Sequence, residues 1–175
     1  MDMGIQYTSP TMWIQILSEE YPRFCKNLKY YMDCDVKEYR EFSDKHRKQI
    51  VNLVGMMPDF PCGIIDDVVI LFRHYNSFEQ AKEKWDKRKQ RIDYEHLICM
   101  FVVESDKYIN EAIEFGKLNL KNSVLFTRDF EVDVPIEHHS YTVPKNSEYL
   151  ATNRITGRRN FEGNLNMIEY VKGIQ

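Results

Sequence analysis

An α/β domain with a mainly parallel sheet flanked by helices is what this sequence predicts, on three observations. Val68–Phe72 and Leu97–Val103 are apolar at successive positions, so neither alternates like a strand with one wet face; such runs belong where both faces are covered, as in a parallel sheet. Between them Ser77 stands as an N-cap, and Gln80 three residues on completes a capping box at the head of a helix. Strand, helix, strand, helix, strand in that order implies right-handed parallel crossovers.

The elements follow in turn. Thr11–Leu17 is aromatic and β-branched with Pro10 ahead of it, which suits the start of a strand. Ser18 then predicts a helix start, with Glu19 and Glu20 favouring its positive end and Pro22 tolerated in the first turn. Tyr21, Phe24, Cys25, Leu28, Tyr31 and Met32 keep helical spacing to about Met32. Val36–Phe42 alternates and predicts an exposed strand. Ser43 with Asp44 opens a helix through Leu53 that Gly55 ends, and Pro58 and Pro61 mark a loop. The helix from Phe78 to Arg91 has a narrow inner stripe of Phe78, Ala81, Trp85 and Ile92. Ser105 or Asp106 caps a helix carrying Tyr108, Ile109, Ala112, Ile113 and Phe115, with Gly116 as its stop. Ser123–Thr127 is a short strand. Asp129–Thr156 is polar and predicts only short irregular strands; Leu165, Ile168 and Val171 predict a closing helix over 164–172.

The bulk composition narrows the class. The 175 residues suit one domain over 1–175, and 43% hydrophobic with 29% charged residues is ordinary for a soluble chain. A net charge of -3 gives no general pull toward nucleic acid or anionic membrane. No window is apolar enough for a membrane span, and Met1-Asp2-Met3-Gly4 has no signal-like core, so the expectation is cytoplasmic. Cys25, Cys34, Cys62 and Cys99 are scattered without a C-x-x-C and read as reduced thiols.

In a parallel sheet all carboxyl ends share one edge, where ligands gather. That edge gathers His74, Tyr75, Asn76 and Ser77, then Glu104, then Arg128. His74 is the candidate base near neutral pH. Glu104 would orient or protonate, Arg128 would clamp a negative group, and Tyr75, Asn76 and the Ser77 helix end would bind it. Against this stands the ordinary fact that parallel strands end in solvated polar loops. Asp66-Asp67 and His138-His139 suggest metal ligands, but neighbours in an extended segment point apart, so no metal site is predicted. Lys82, Lys84, Lys87, Arg88, Lys89 and Arg91 form a basic helix face, most simply a solvated one. It has no interleaved aromatic platform, which argues against nucleic acid. There is no P-loop, nucleophile elbow or dinucleotide glycine fingerprint, and no cofactor is identified.

Several segments resemble an uncharacterised bacterial family catalogued as a domain of unknown function and often labelled an exopolysaccharide biosynthesis protein. They are Tyr7-Thr8-Ser9-Pro10-Thr11, Asn27-Leu28-Lys29-Tyr30-Tyr31, Gly63-Ile64-Ile65-Asp66-Asp67, Phe72-Arg73-His74-Tyr75 and the Ser77–Trp85 stretch with Arg88 and Arg91. The resemblance implies an α/β fold and a link to capsule or surface polysaccharide, and no established reaction. Family members carry a further N-terminal strand ending in an Asn-Asn-Cys-type turn. This chain starts almost directly at Gly4-Ile5-Gln6-Tyr7, so the expectation is either a shortened member whose sheet lacks that strand or a start placed late. Two functional readings follow. One is a glycosyl or acyl transferase of polysaccharide assembly, taking an anionic nucleotide-sugar or acyl donor. The other is a non-catalytic partner of the polysaccharide-assembly proteins, docking through the basic helix.

Overall fold

The computed structural model describes residues 9–11, 14–142, 165, 169–170 and 173. The chain divides into two compact units, Met1–Tyr94 and Glu95–Gln175, each with its own sheet.

The first unit corrects the expectation of a mainly parallel sheet. Its strands β1 (Gln15–Ile16), β2 (Lys37–Glu38), β3 (Cys62–Ile65) and β4 (Val68–Leu71) form one sheet in the order β1-β4-β3-β2, and every pairing is antiparallel. The run expected to thread a parallel sheet is the second arm of a hairpin: Ile65 faces Val68 across the two-residue turn Asp66-Asp67. Asp66 adopts a φ of 53°, a conformation that aspartate tolerates better than most residues. All of β4 is buried because it lies inside the sheet between β1 and β3, whatever the strand direction. Gly63 in β3 keeps room for its neighbours: a Cβ there would lie 2.7 Å from Val36 Cγ2 and 2.9 Å from Phe72 Cε2.

The helix expected from Ser18 to Met32 starts later and breaks once. α1 (Tyr21–Lys26) has Glu20 at its N-cap, and Asn27, at φ -117° and ψ 32°, separates it from α2 (Leu28–Asp33). Ser18 therefore lies in the turn before the helix. Glu20 makes no side-chain cap hydrogen bond to the helix. Its side chain is 1% exposed, accepts a 2.7 Å hydrogen bond from the Val69 amide of β4, and lies 3.2 Å from His46 Nε2 and 3.9 Å from Arg23. His46 Nδ1 in turn meets the Tyr39 hydroxyl at 2.8 Å, and that hydroxyl accepts from the Ser43 amide. Arg23 continues to Asp67 Oδ2 at 3.0 Å, and Tyr31 donates to Asp67 Oδ1 at 2.8 Å. This chain of polar contacts ties α1 and α2 to the hairpin tip and to α3 (Asp44–Val54). As expected, α3 is capped by Ser43, which accepts from the His46 amide, and ended by Gly55 at φ 83°. α4 (Phe78–Lys89) likewise begins at Ser77, whose Oγ accepts from the Gln80 amide, and buries Ala81 and Trp85. The Gln80 side chain closes the cap on the Asn76 amide rather than on that of Ser77.

The second unit has the expected parallel arrangement on a smaller scale. β5 (Cys99–Val103), β6 (Ser123–Arg128) and β7 (Glu137–Tyr141) form a three-stranded parallel sheet in that order. A 3-10 turn at Asp106–Tyr108 and α5 (Ile109–Lys117) make the crossover from β5 to β6. Gly116 does not stop α5: the helix runs through it to Lys117. The glycine instead admits Val134, which would lie 2.5 Å from a Cβ at that position through its own Cβ. Of the expected closing helix over 164–172, Glu169 and Tyr170 are helical; most of that stretch, like Met12 and Trp13 of the first expected strand, lies outside the described residues.

Candidate functional site

Alternation along β5 sorts its side chains onto two faces. Cys99, Phe101 and Val103 are buried, and Phe101 meets Phe115 of α5 at 5.5 Å. Met100, Val102 and Glu104 therefore share the opposite face. The parallel register pairs Val102 with Phe126 and Phe126 with His139, whose rings stack at 5.6 Å. One step beyond the Val103–Thr127 pair, Glu104 stands beside Arg128, and Arg128 pairs with Tyr141. Glu104, Arg128 and Tyr141 thus form a row across the carboxyl edge of the sheet, on the face away from α5, where parallel sheets hold ligands.

Each member of the row has a distinct electrostatic state. Burial pushes the Glu104 carboxyl above the usual carboxylate range, and the Arg128 guanidinium pulls part of that shift back. Glu104 Oε1 is buried with no hydrogen-bond partner among the described residues. Arg128 is half-buried and contacts Asp129 Oδ2 at 3.5 Å, so part of its guanidinium can meet a ligand. Tyr141 is pushed up to about 12, by burial first and by the negative charge of Glu104 next, so its hydroxyl remains a neutral donor at physiological pH. The row combines a carboxyl able to change protonation, a cation and a neutral hydroxyl, a set that suits an anionic group and a proton transfer beside it.

The remaining predicted residues lie in the first unit. His74 is exposed and follows β4 of the antiparallel sheet. It is not in the row, because the single parallel edge that was to gather it with Glu104 and Arg128 is replaced by two sheets. Tyr75, Asn76 and Ser77 build the turn into α4. The Tyr75 hydroxyl accepts from Arg88 at 2.8 Å, the Asn76 amide donates to Gln80, and Ser77 caps the helix. The basic face of α4 is largely engaged as well. Lys82 contacts Asp35 and Asp86, Lys87 contacts Glu83, and Lys89 donates to the Cys34 carbonyl at 3.0 Å. Asp66 and Asp67 take hydrogen bonds from Tyr30 and Tyr31 at 2.9 and 2.8 Å. His138 and His139 point apart as adjacent strand residues must: His138 Nε2 meets Thr127 Oγ1 at 2.7 Å, while His139 reaches Glu137. Among the described residues no group of three His, Cys, Asp or Glu side chains is placed to hold a metal. None of the described helices is long and apolar enough to cross a membrane.

Sequence reasoning missed Tyr141, because the short irregular strands expected within Asp129–Thr156 had no assigned bounds, so no carboxyl end was read there. Its position became a site residue only through the pairing of Arg128 with Tyr141. An open cavity of about 420 Å³ lies at the opposite, amino edge of the sheet, lined by Asn119, Asn122, Ser123, Pro135, Glu137 and Tyr170. Its size does not make it the better candidate for an anion, since the charged residues of its lining are the carboxylates Glu137 and Glu169, with no cation among them.

Comparison with known proteins places the chain without naming a reaction. An uncharacterized protein of Haemophilus influenzae is 26% identical over 127 residues, covering 72% of this chain and 54% of that protein. The chain thus spans about half the length of that curated relative. The family model DUF1919, described as a domain of unknown function, matches residues 1–171, and the chain belongs to that family.

Proposed function

We propose that the second unit binds an anionic donor at the carboxyl edge of its parallel sheet and takes part in group transfer, as a glycosyl or acyl transferase of surface-polysaccharide assembly. The observation that supports this reading is the row of Glu104, Arg128 and Tyr141, fixed by the register of three parallel strands. Arg128 grips the anion, the neutral Tyr141 hydroxyl donates to it, and Glu104 carries the proton. In the transfer, the acceptor hydroxyl oxygen bonds to the transferred carbon. The bond from that carbon to the leaving group breaks as Glu104 gives its proton to that group, and the acceptor's proton passes to solvent water, which returns one to Glu104. The base role expected of His74 has no counterpart in this row, since His74 lies in the turn after β4 of the antiparallel sheet. The polysaccharide setting rests on the motif resemblance alone. Docking through the basic helix is the weaker alternative, since Lys82, Lys87 and Lys89 already contact carboxylates.

A thermal-shift screen of UDP-sugars and coenzyme A esters tests this. A donor present at about 100 times its Kd stabilises the fold by about 2.7 kcal/mol, and Arg128→Met should abolish the shift. No response to either class, or an equal response in Arg128→Met, would refute the reading.

A further inference from the structure

The electrostatics of the row carry a consequence for how it binds. We infer that an anion and a proton bind this site together: occupation at Arg128 drives Glu104 to take up a proton. The inference rests on the anion-binding reading above and adds its proton linkage.

Two opposing influences act on Glu104. Burial favours the neutral carboxyl and the Arg128 guanidinium favours the carboxylate. An anion seated on Arg128 cancels the second influence and leaves the first. It also places a new negative charge beside the carboxylate, which again favours protonation. The partnerless, buried Glu104 Oε1 has no other described donor to hold it ionised.

The surrounding groups do not offset this. On β6 and the loop after it stand Arg128 and Asp129, which contact one another. On β7 stands Tyr141, neutral at physiological pH and sensitive to the charges of Glu104, Arg128 and Asp129. Asp106, Lys107 and Glu111 belong to the crossover that packs on the other face of the sheet, and Lys107 lies 4.7 Å from the Tyr108 ring centroid. Arg128 is the charged side chain whose pull on Glu104 is felt. Linkage then works both ways: the anion raises the proton affinity of Glu104, and the proton raises the affinity for the anion by the same factor. With donor bound, Glu104 holds a proton to give.

Sulfate is a suitable probe, because it stays a dianion between about pH 4 and pH 8, so any midpoint that moves with it belongs to the protein. The intact chain, labelled with carbon-13 at glutamate carboxyls and nitrogen-15 at arginine, is titrated across that range by NMR. Sulfate is varied against chloride at constant ionic strength. The expected result is a sulfate-dependent change at Arg128 Nε together with a rise in the Glu104 midpoint, and neither in Arg128→Met. A change at Arg128 with an unmoved Glu104 midpoint would overturn the linkage and leave anion binding standing. No change at Arg128 at any sulfate concentration would overturn both. An equal midpoint rise in Arg128→Met would reduce the effect to general salt and overturn the linkage.

Discussion

Replacing Glu20 separates the value of its hydrogen bond from the cost of its charge. The side chain is 1% exposed, its carboxyl is raised above the usual range, and burial is the largest cause. The Val69 amide, Arg23, His46 and Lys45 all favour the carboxylate but do not overcome that burial. A raised carboxyl holds its proton more tightly in the folded chain than in the unfolded one. Its contribution to stability is fully present below the unfolded value and is lost as pH rises through the folded value. Glu20→Gln keeps an acceptor for the Val69 amide and removes the buried charge. Arg23 is about one-third exposed and keeps Asp67, so its lost attraction is screened to about 0–1 kcal/mol. Glu20→Gln should therefore stay within about 1 kcal/mol of the parent at neutral pH, and gain on it steadily as pH rises from the ordinary carboxylate range toward neutrality. Glu20→Ala leaves the Val69 amide buried and unpaired, a penalty of about 1–3 kcal/mol, and opens a void besides, for a total of about 2–4 kcal/mol. Urea unfolding followed by circular dichroism over that pH range measures both. If Gln proved as damaging as Ala at neutral pH, the ion contacts would outweigh desolvation and the reasoning would fail.

Two further outcomes follow from the packing. Gly116→Ala gains about 1 kcal/mol in helix propensity but drives its new methyl into Val134, so a net loss of about 1–3 kcal/mol is expected; a raised urea midpoint would refute this, and Val134→Ala in the same chain should restore part of the loss. Burial pushes the Cys62 thiol up to about 12, so in the native chain iodoacetamide at about pH 8 should modify half-buried Cys34 well before Cys62; equal rates by peptide mass spectrometry would contradict the burial.

Helix boundaries were the most legible part of the fold, because they depend on local hydrogen bonds. Ser43, Gly55 and Ser77 each cap as their chemistry predicts. Strand direction was not legible, because periodicity reports burial and not the orientation of the partner. Val68–Leu71 is buried on both faces in an antiparallel sheet, with the same apolar run a parallel strand would need. A usable signal was present: two apolar runs, Gly63-Ile64-Ile65 and Val68-Val69-Ile70, separated by two turn-tolerant aspartates. Gly116 was misread for a different reason. A glycine near a helix end is a stop in most local contexts, but here it serves a long-range contact with Val134 that no window of sequence contains.

The candidate site inherits these successes and errors in a traceable way. The rule that ligands collect at strand carboxyl ends is only as good as the assignment of strands to one parallel sheet. The crossover from β5 through α5 to β6 was read correctly, and one step past the Val103–Thr127 pair brings Glu104 within the electrostatic reach of Arg128. His74 follows β4 of another sheet, and Tyr141 was passed over because the short strands expected within Asp129–Thr156 had no assigned ends. Glu20 shows the same limit from the other side. Glu19 and Glu20 are adjacent and chemically alike, and local reasoning gave both to the helix dipole. Only the fold distinguishes them, by sending Glu20 inward to the Val69 amide of a strand 49 positions away. A residue's chemical type can be read from the sequence, but its role depends on which backbone group or charge the rest of the chain brings to it.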